Sequence, residues 1–264
     1  MMNFTLSNQV QIPAVGIGTF MMTPDQAEQA VVDALACGYR MIDTAQAYMN
    51  ERAVGRGIKR SGVAREDIFI STKIWASQYL TEGTVEKSLE LLGTDYIDLM
   101  FIHQPAGDFM AGYRKLETVA IRPMVNQIEM HPYFAQESAL KVMEEYQIVP
   151  EAWAPLGGGR HNPFDNEMVK EIAAAHGKTV GQVVLRWNVQ RGVVVIPKSV
   201  HKARIEENFQ IWDFTLTEEE MQKISSLDLG YQGTAVKHLI RNLLKCAISE
   251  RSTNKTGRFG FQLL

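Results

Sequence analysis

The chain has 264 residues, of which 22% are charged and 45% hydrophobic, and its formal net charge is −3. These values are typical of a folded protein of one or two domains and exclude collagen-like, coiled-coil and low-complexity chains. The charge leaves no global basic field for nucleic acid, and no apolar run reaches the length of a membrane span. Cys37 and Cys246 are too few for a disulfide framework, and the first twenty residues contain no Lys or Arg. We therefore expect a cytoplasmic protein.

Short apolar segments rich in β-branched residues alternate with segments of helical periodicity. A small hairpin is predicted at 4–6 and 10–12, on either side of a Ser-Asn turn. Seven further strands are predicted at 15–18, 40–43, 68–73, 97–103, 124–128, 148–153 and 193–198. Helices are predicted between them, near 23–37, 50–60, 79–92, 111–118, 136–146, 166–176, 179–190, 202–208 and 217–227. Capping-box sequences starting at Thr23 and Thr217 mark the beginnings of two of these helices.

Strict alternation of strands and helices predicts a parallel sheet covered by helices. The two candidate folds are a doubly wound open sheet and a closed TIM (β/α)8 barrel. The open nucleotide-binding sheets have a Gly-rich turn after the first strand, but Met21 stands where the third glycine after Gly16 and Gly18 is needed. No P-loop sequence occurs either. The barrel is favoured, and barrels carry their chemistry at the carboxyl ends of the strands.

Polar residues of complementary type follow three of the predicted strands. Asp43, Lys73 and His103 end successive strands, and Tyr48 lies in the loop after Asp43. Each has an ordinary explanation when taken singly, because such residues commonly cap a turn, face water or satisfy a local hydrogen bond. Together they converge on the face where a barrel places its active site, so we interpret them as one catalytic group.

The chemistry of this group suits protonation of an oxygen that gains negative charge. The phenol of Tyr48 keeps its proton at neutral pH, and the ammonium of Lys73 is expected to lower that pKa toward the working pH. Asp43 would hold Lys73 charged, and His103 could donate a hydrogen bond to a carbonyl oxygen. Addition of a hydride to an aldehyde or ketone creates such an oxygen. The sequence shows no metal-ligand spacing, no Ser or Cys nucleophile arrangement and no carboxylate pair at these strand ends.

Six motifs in order resemble the aldo-keto reductase family, in the style of bacterial diketogluconate and methylglyoxal reductases. They are Gly-Thr-Phe at 18–20, Ile-Asp-Thr-Ala at 42–45 with Tyr48, Ser-Thr-Lys at 71–73, Asp-Tyr-Ile-Asp at 95–98 with Ile-His at 102–103, Asn-Gln-Ile-Glu at 126–129 with His-Pro at 131–132, and Ile-Pro-Lys-Ser at 196–199. The resemblance covers residues 3 to 233. It implies a TIM barrel that reduces aldehydes and ketones with NADPH, with Tyr48 as proton donor and Asp43, Lys73 and His103 completing a tetrad.

The same resemblance implies where NADPH binds. The positions that match nicotinamide contacts are Gly18, Thr19, Gln127 and Trp153, of which Trp153 stands where the family usually has a tyrosine or another aromatic residue stacked on the nicotinamide. The position in the loop along the pyrophosphate is Leu156. The positions that match contacts with the 2′-phosphate are Lys198, Ser199 and Arg204, and those near the adenine are Glu207 and Asn208. Independently of the family, Lys198 and Arg204 place two cations near a helix start, where backbone N–H groups also favour a phosphate.

The chain departs from the family between the fourth helix and the Asn-Gln-Ile-Glu strand. In the family, a fifth strand that ends in Ser-Asn-Phe lies between these two elements. Here the end of the fourth helix, at 114–117, is followed at once by the segment 118–123 that leads into the next strand, and no Ser-Asn-Phe motif occurs there. By the resemblance, about thirty residues are absent, which is the size of one strand-helix unit. We expect a barrel without its fifth unit, with two strands left as neighbours or as edges. One alternative is therefore a catalytically impaired member that still binds nucleotide or serves as a non-enzymatic binding protein. Another is a structural barrel relative of the kind that attaches to channels.

The second departure is the segment 234–264, which holds six Lys or Arg residues and one acid, Glu250. We predict a barrel domain at 1–233 and a basic C-terminal tail at 234–264. The tail begins with an amphipathic stripe, and docking on the barrel is favoured over a membrane surface or a partner. We expect a monomer that acts on a small carbonyl compound, without a metal, a nucleic acid or a membrane as partner.

Overall fold

The computed structural model describes residues 2–117, 124–158 and 161–234. Its strands are β1 (Asn3–Thr5), β2 (Gln11–Pro13), β3 (Ile17–Gly18), β4 (Met41–Asp43), β5 (Phe69–Ile74), β6 (Leu99–Ile102), β7 (Val125–Glu129), β8 (Val149–Trp153) and β9 (Val194–Val195). Its helices are α1 (Pro24–Ala36), α2 (Glu51–Ser61), α3 (Thr84–Leu92), α4 (Phe109–Glu117), α5 (Glu137–Glu145), α6 (Glu167–Ala175), α7 (Val180–Gln190), α8 (Lys202–Phe209) and α9 (Glu218–Ser225). Strands and helices alternate, as the periodicity predicts. Strands β1 and β2 pair antiparallel as a hairpin ahead of the central strands.

The central strands are parallel and form two ladders, β3-β4-β5-β6 and β7-β8-β9. A bridge between Val15 and Val195 joins the ladders, with Gly16 N donating to Val195 O at 2.9 Å. The strand order is therefore β6-β5-β4-β3-β9-β8-β7. No ladder joins β6 to β7 within the described ranges. The predicted loss of a fifth unit falls at 118–123, outside the described residues. The predicted tail at 234–264 also lies outside them, except for Thr234, which is buried.

The core lies between the sheet and its helices. All six residues of β5 are buried, which is expected of a parallel strand covered on both faces. Ile42 and Ile70 on neighbouring strands share one apolar cluster with Val31 and Leu35 of α1. This packing fixes the position of each strand along its axis relative to its neighbours, and with it the position of the side chains at the strand ends.

Helix starts follow the sequence signals closely. Thr23 and Thr217 form the two predicted capping boxes with Gln26 and Glu220. The predicted helix at 79–92 begins only at Thr84, because Gly83 takes a left-handed conformation with φ of 72°. No helix of the described residues is long and apolar enough to cross a membrane.

Candidate active site

Three adjacent strands bring the predicted tetrad residues together. Asp43 is the last residue of β4, Lys73 is the fifth residue of β5, and His103 directly follows β6. Tyr48 ends a short 3₁₀ turn that follows β4. Because β4, β5 and β6 are neighbours in parallel register, their carboxyl ends place these side chains at one edge of the sheet.

Lys73 and Asp43 form a buried ion pair. The Nζ of Lys73 donates to Oδ2 of Asp43 at 2.5 Å and to the carbonyl oxygen of Thr44 at 2.7 Å. Ser71 donates to the other carboxylate oxygen at 2.8 Å. Burial is the largest single effect and would lower the pKa of Lys73, but the Asp43 carboxylate, together with the smaller effects of Tyr48 and Glu151, outweighs it, so this pKa is raised. The ammonium is therefore charged and fixed in orientation.

Tyr48 lies beside this ammonium. The Nζ of Lys73 is 5.1 Å from the centre of the Tyr48 ring, and the rings of Phe20 and His103 meet it edge to face at 5.1 and 5.6 Å. Burial raises the pKa of Tyr48, and the charge of Lys73 only partly opposes this effect. The expected net lowering of this pKa is therefore wrong, because the sequence does not reveal how deeply the phenol is buried. At neutral pH Tyr48 holds its proton.

His103 is a neutral hydrogen-bonding group at the same edge. Burial, assisted by the charge of Lys73, lowers its pKa to about 4. Its ring meets the Trp75 ring edge to face at 5.0 Å, and no described residue bonds its buried Nδ1. A neutral imidazole has one N–H group and one acceptor nitrogen, so His103 can donate one hydrogen bond to a substrate oxygen.

Gln127 joins the tetrad to an acid that the sequence analysis did not identify. Its Nε2 donates to Oδ1 of Asp43 at 3.1 Å and to Oε1 of Glu151 at 2.5 Å. Glu151 is fully buried in β8. The available signal was the period of two along β8, which places residue 151 on the same face as the predicted site residue Trp153.

The other predicted nicotinamide positions lie at the carboxyl ends of β3 and β8. A Cβ on Gly18 would lie 2.9 Å from the carbonyl oxygen of Ile196, so a larger residue would press on the adjacent strand. Thr19 is buried and donates through Oγ1 to the carbonyl oxygen of Asp43 at 3.1 Å. Trp153 and Leu156 are half-buried and pack against the apolar clusters of the core. Thr19 thus holds the backbone of β4, directly beneath the tetrad.

The predicted phosphate-binding residues lie at the beginning of α8. Lys198 and Arg204 are exposed, and neither forms an ion pair within the described part of the chain. His201, at the helix N-cap, makes no side-chain capping bond, so the first N–H groups of α8 are open to a ligand. Ser199 is buried and accepts from the backbone N–H of His201 at 3.1 Å.

The two predicted adenine residues lie one turn further along α8. Glu207 accepts from Oγ1 of Thr179 at 2.8 Å, and Asn208 is buried. Glu207 thereby ties α8 to the start of α7. Lys198 and Ser199 precede α8, Arg204 lies in its first turn, and Glu207 and Asn208 lie on the following turn.

Known proteins resemble this chain over most of its length. The model of the Aldo/keto reductase family matches residues 14–119 and 110–229. A 9,11-endoperoxide prostaglandin H2 reductase of Trypanosoma cruzi is 42% identical over 257 positions, covering 85% of this chain and 90% of the relative. A glyoxal reductase of Bacillus subtilis is 41% identical over 254 positions, covering 84% of this chain and 91% of the relative.

Solved structures give the same result. An aldo/keto reductase from Brucella melitensis superposes with a TM-score of 0.81 at 39% identity, over 86% of this chain and 99% of that one. An aldo-keto reductase of Bombyx mori in complex with NADP has a TM-score of 0.79 at 30% identity, over 86% of this chain and 92% of that one. Together with the family match, these similarities confirm the resemblance seen in the motifs, and the chain belongs to the aldo/keto reductase family of oxidoreductases.

Proposed function

We propose that this protein reduces aldehydes or ketones to alcohols with NADPH, with Tyr48 as the proton donor. The observation that carries the proposal is the position of the buried Lys73–Asp43 pair beside the Tyr48 phenol and the neutral His103 ring. Such a set combines an acid, a charge that stabilises its conjugate base and a hydrogen-bond donor for the reacting oxygen.

The residues present suit a dinucleotide with a 2′-phosphate. Lys198 and Arg204 are exposed cations, and the uncapped start of α8 adds backbone N–H groups for an anion. The Gln127 amide, predicted to meet the carboxamide, lies among the tetrad side chains. When bound, NADPH would supply the hydride that adds to the carbonyl carbon.

The residues of this chain would then bind and protonate the carbonyl oxygen of the substrate. His103, which is neutral at physiological pH, donates a hydrogen bond to the carbonyl oxygen and positions it. Tyr48 transfers its phenolic proton to that oxygen as negative charge develops there. Lys73 stabilises the phenolate left behind, and Asp43 keeps the ammonium charged and in place.

Two measurements test this function, one of NADPH binding and one of turnover. Quenching of tryptophan fluorescence reports NADPH binding, for which Trp153 is a natural reporter, and loss of NADPH absorbance reports reduction of a small aldehyde. We expect saturable binding and an alcohol product formed in equal amount to the NADPH consumed. Binding without reduction would favour the catalytically impaired alternative, and absence of binding would contradict both.

We further propose that the chain lacks the fifth strand-helix unit of the family barrel. Three observations support this proposal. The two segments matched by the family model overlap at 110–119, where the predicted gap begins. The alignment with the Trypanosoma relative has 257 positions, but it includes only 85% of the 264 residues of this chain. The relative therefore has interior residues without a counterpart in this chain. Within the described residues, β6 and β7 share no ladder.

The remaining expectations from the sequence stay proposals. They are a barrel domain at 1–233, a separate basic tail at 234–264, a monomeric state and a cytoplasmic location. Sedimentation of the purified chain, with and without residues 235–264, measures the oligomeric state and the contribution of the tail to it.

A further inference from the structure

Glu151 is a buried ionisable group for which the proposed reaction has no role. Its side chain has no exposed surface. Oε1 accepts one hydrogen bond, from Nε2 of Gln127 at 2.5 Å, and no described residue donates to Oε2. The same Nε2 donates to Oδ1 of Asp43 at 3.1 Å. One amide nitrogen therefore bridges Glu151 and a member of the tetrad.

The two carboxyl groups joined by this amide have very different surroundings. Asp43 accepts from Lys73, Ser71 and Gln127, which together compensate a full negative charge. Glu151 has a single donor and no cation of its own. Burial and the nearby charge of Asp43 raise the pKa of Glu151 to about 8. At neutral pH, therefore, Glu151 holds its proton, next to a carboxylate that is paired with Lys73.

We infer that Glu151 is a positioning residue that controls the charge balance of the tetrad, supporting proton transfer from Tyr48 while it is neutral and opposing it once ionised. The inference rests on the proposed function. While Glu151 is neutral, the Asp43 carboxylate neutralises the field of the Lys73 ammonium only in part. The remaining field stabilises the phenolate form of Tyr48. A second carboxylate charge would cancel this remaining field, because the charge on Glu151 acts to raise the pKa of both Tyr48 and Lys73.

Few other charged or titratable groups lie around Glu151 that could account for a pH-dependent change in the charge of the tetrad. Strand β4 presents Asp43, β5 presents Lys73, and the turn after β4 presents Tyr48. Strand β7 contributes the uncharged Gln127, and β9 pairs Val194 with Glu151 in register. The ionised groups acting on Glu151 within the described residues are therefore Asp43 and Lys73, which already form a pair.

The pH dependence of reduction follows from this arrangement. As pH rises through the pKa of Glu151, its proton leaves and the developing phenolate of Tyr48 loses stabilisation. With one controlling group near 8 whose ionisation slows proton transfer about tenfold, the wild-type rate at pH 9 should fall to about a fifth of its value at pH 7. Glu151→Gln keeps an oxygen that accepts from Gln127 but cannot ionise, so its rate over the same interval should fall less than about twofold.

A titration of Tyr48 tests the inference independently of turnover. The difference in tyrosinate absorbance between a protein and its Tyr48→Phe variant isolates the phenol at position 48. In the Glu151→Gln background, Tyr48 should ionise about one pH unit lower than in the wild-type background. Equal titration in the two backgrounds overturns the inference, even if the enzyme is active. A lower titration of Tyr48 in the Glu151→Gln background without any turnover supports the electrostatic link between Glu151 and Tyr48 and contradicts the proposed function.

A third measurement needs no variant at position 151 and covers the case in which Glu151→Gln does not fold. In wild-type protein labelled with ¹³C at the glutamate side-chain carboxyls, the resonance of Glu151 should titrate near pH 8. That resonance should shift in Gln127→Leu, which removes the bridging amide. Titration of every glutamate carboxyl below pH 6 would overturn the inference.

Discussion

Nζ of Lys73 lies 2.5 Å from Oδ2 of Asp43, and only 3% and 2% of the two side chains is exposed. A pair so deeply buried gains little net stability from its charges, because desolvation offsets their attraction. Its geometry instead fixes an ammonium next to the Tyr48 phenol. The pair therefore serves the chemistry of the site more than the stability of the barrel.

Removal of one partner of this ion pair should lower the free energy of unfolding. Lys73→Met leaves the Asp43 carboxylate buried without its cation, so the free energy of unfolding should fall by about 3–5 kcal/mol. Urea denaturation measures this change. The double variant Lys73→Met/Asp43→Asn should recover part of the loss, since no buried charge remains unpaired. A loss below about 1 kcal/mol in the single variant would contradict the buried pairing.

Arg204 should discriminate NADPH from NADH. It is exposed beside Lys198 at the start of α8 and can form charge-assisted bonds with a 2′-phosphate. Arg204→Ala should weaken NADPH binding about ten- to hundredfold and leave NADH binding nearly unchanged, as measured by fluorescence quenching. Arg52→Ala is the matched control, because Arg52 is an exposed arginine of α2 that pairs with Glu90 of α3. Equal affinity of the parent protein for both cofactors would contradict the assignment of the phosphate site.

The proposed absence of the fifth strand-helix unit after Glu117 should limit stability and turnover. A strand-helix unit buries on the order of several hundred Å² of apolar surface, at about 25 cal/mol per Å². An unclosed barrel also leaves strand edges that promote aggregation. We expect a low melting temperature, poor solubility and weak turnover, measured by calorimetry, light scattering and NADPH consumption.

Insertion of a family-like strand with Ser-Asn-Phe between Glu117 and Ile121 tests the effect of the gap directly. The melting temperature and the rate should both rise. A Gly/Ser-rich insert of equal length is the control and should raise neither. If the parent chain already melts cooperatively at an ordinary mesophile temperature and turns over at rates usual for the family, the expected impairment is wrong.

The strand ends could be predicted because parallel strands align their carboxyl termini whatever the details of packing. That rule places Asp43, Lys73 and His103 together, and the structure agrees. The net pKa of Tyr48 could not be predicted, since it depends on burial by groups distant in sequence, such as His103 and Phe20. Glu151 was missed for a similar reason. An acidic residue within a strand has no special pattern, and its link to Asp43 passes through Gln127 on a third strand.

The proton-donor role of Tyr48 is the central claim, and comparison of two tyrosine variants tests it most directly. Tyr48→Phe should lower kcat/KM for a simple aldehyde by about three orders of magnitude or more, because it removes the acid and little else. NADPH affinity should remain nearly unchanged. Tyr39→Phe is the matched control, since Tyr39 is a buried tyrosine whose hydroxyl donates to the carbonyl oxygen of Ile205 at 3.1 Å, and it should retain activity. Full activity of Tyr48→Phe would contradict the account.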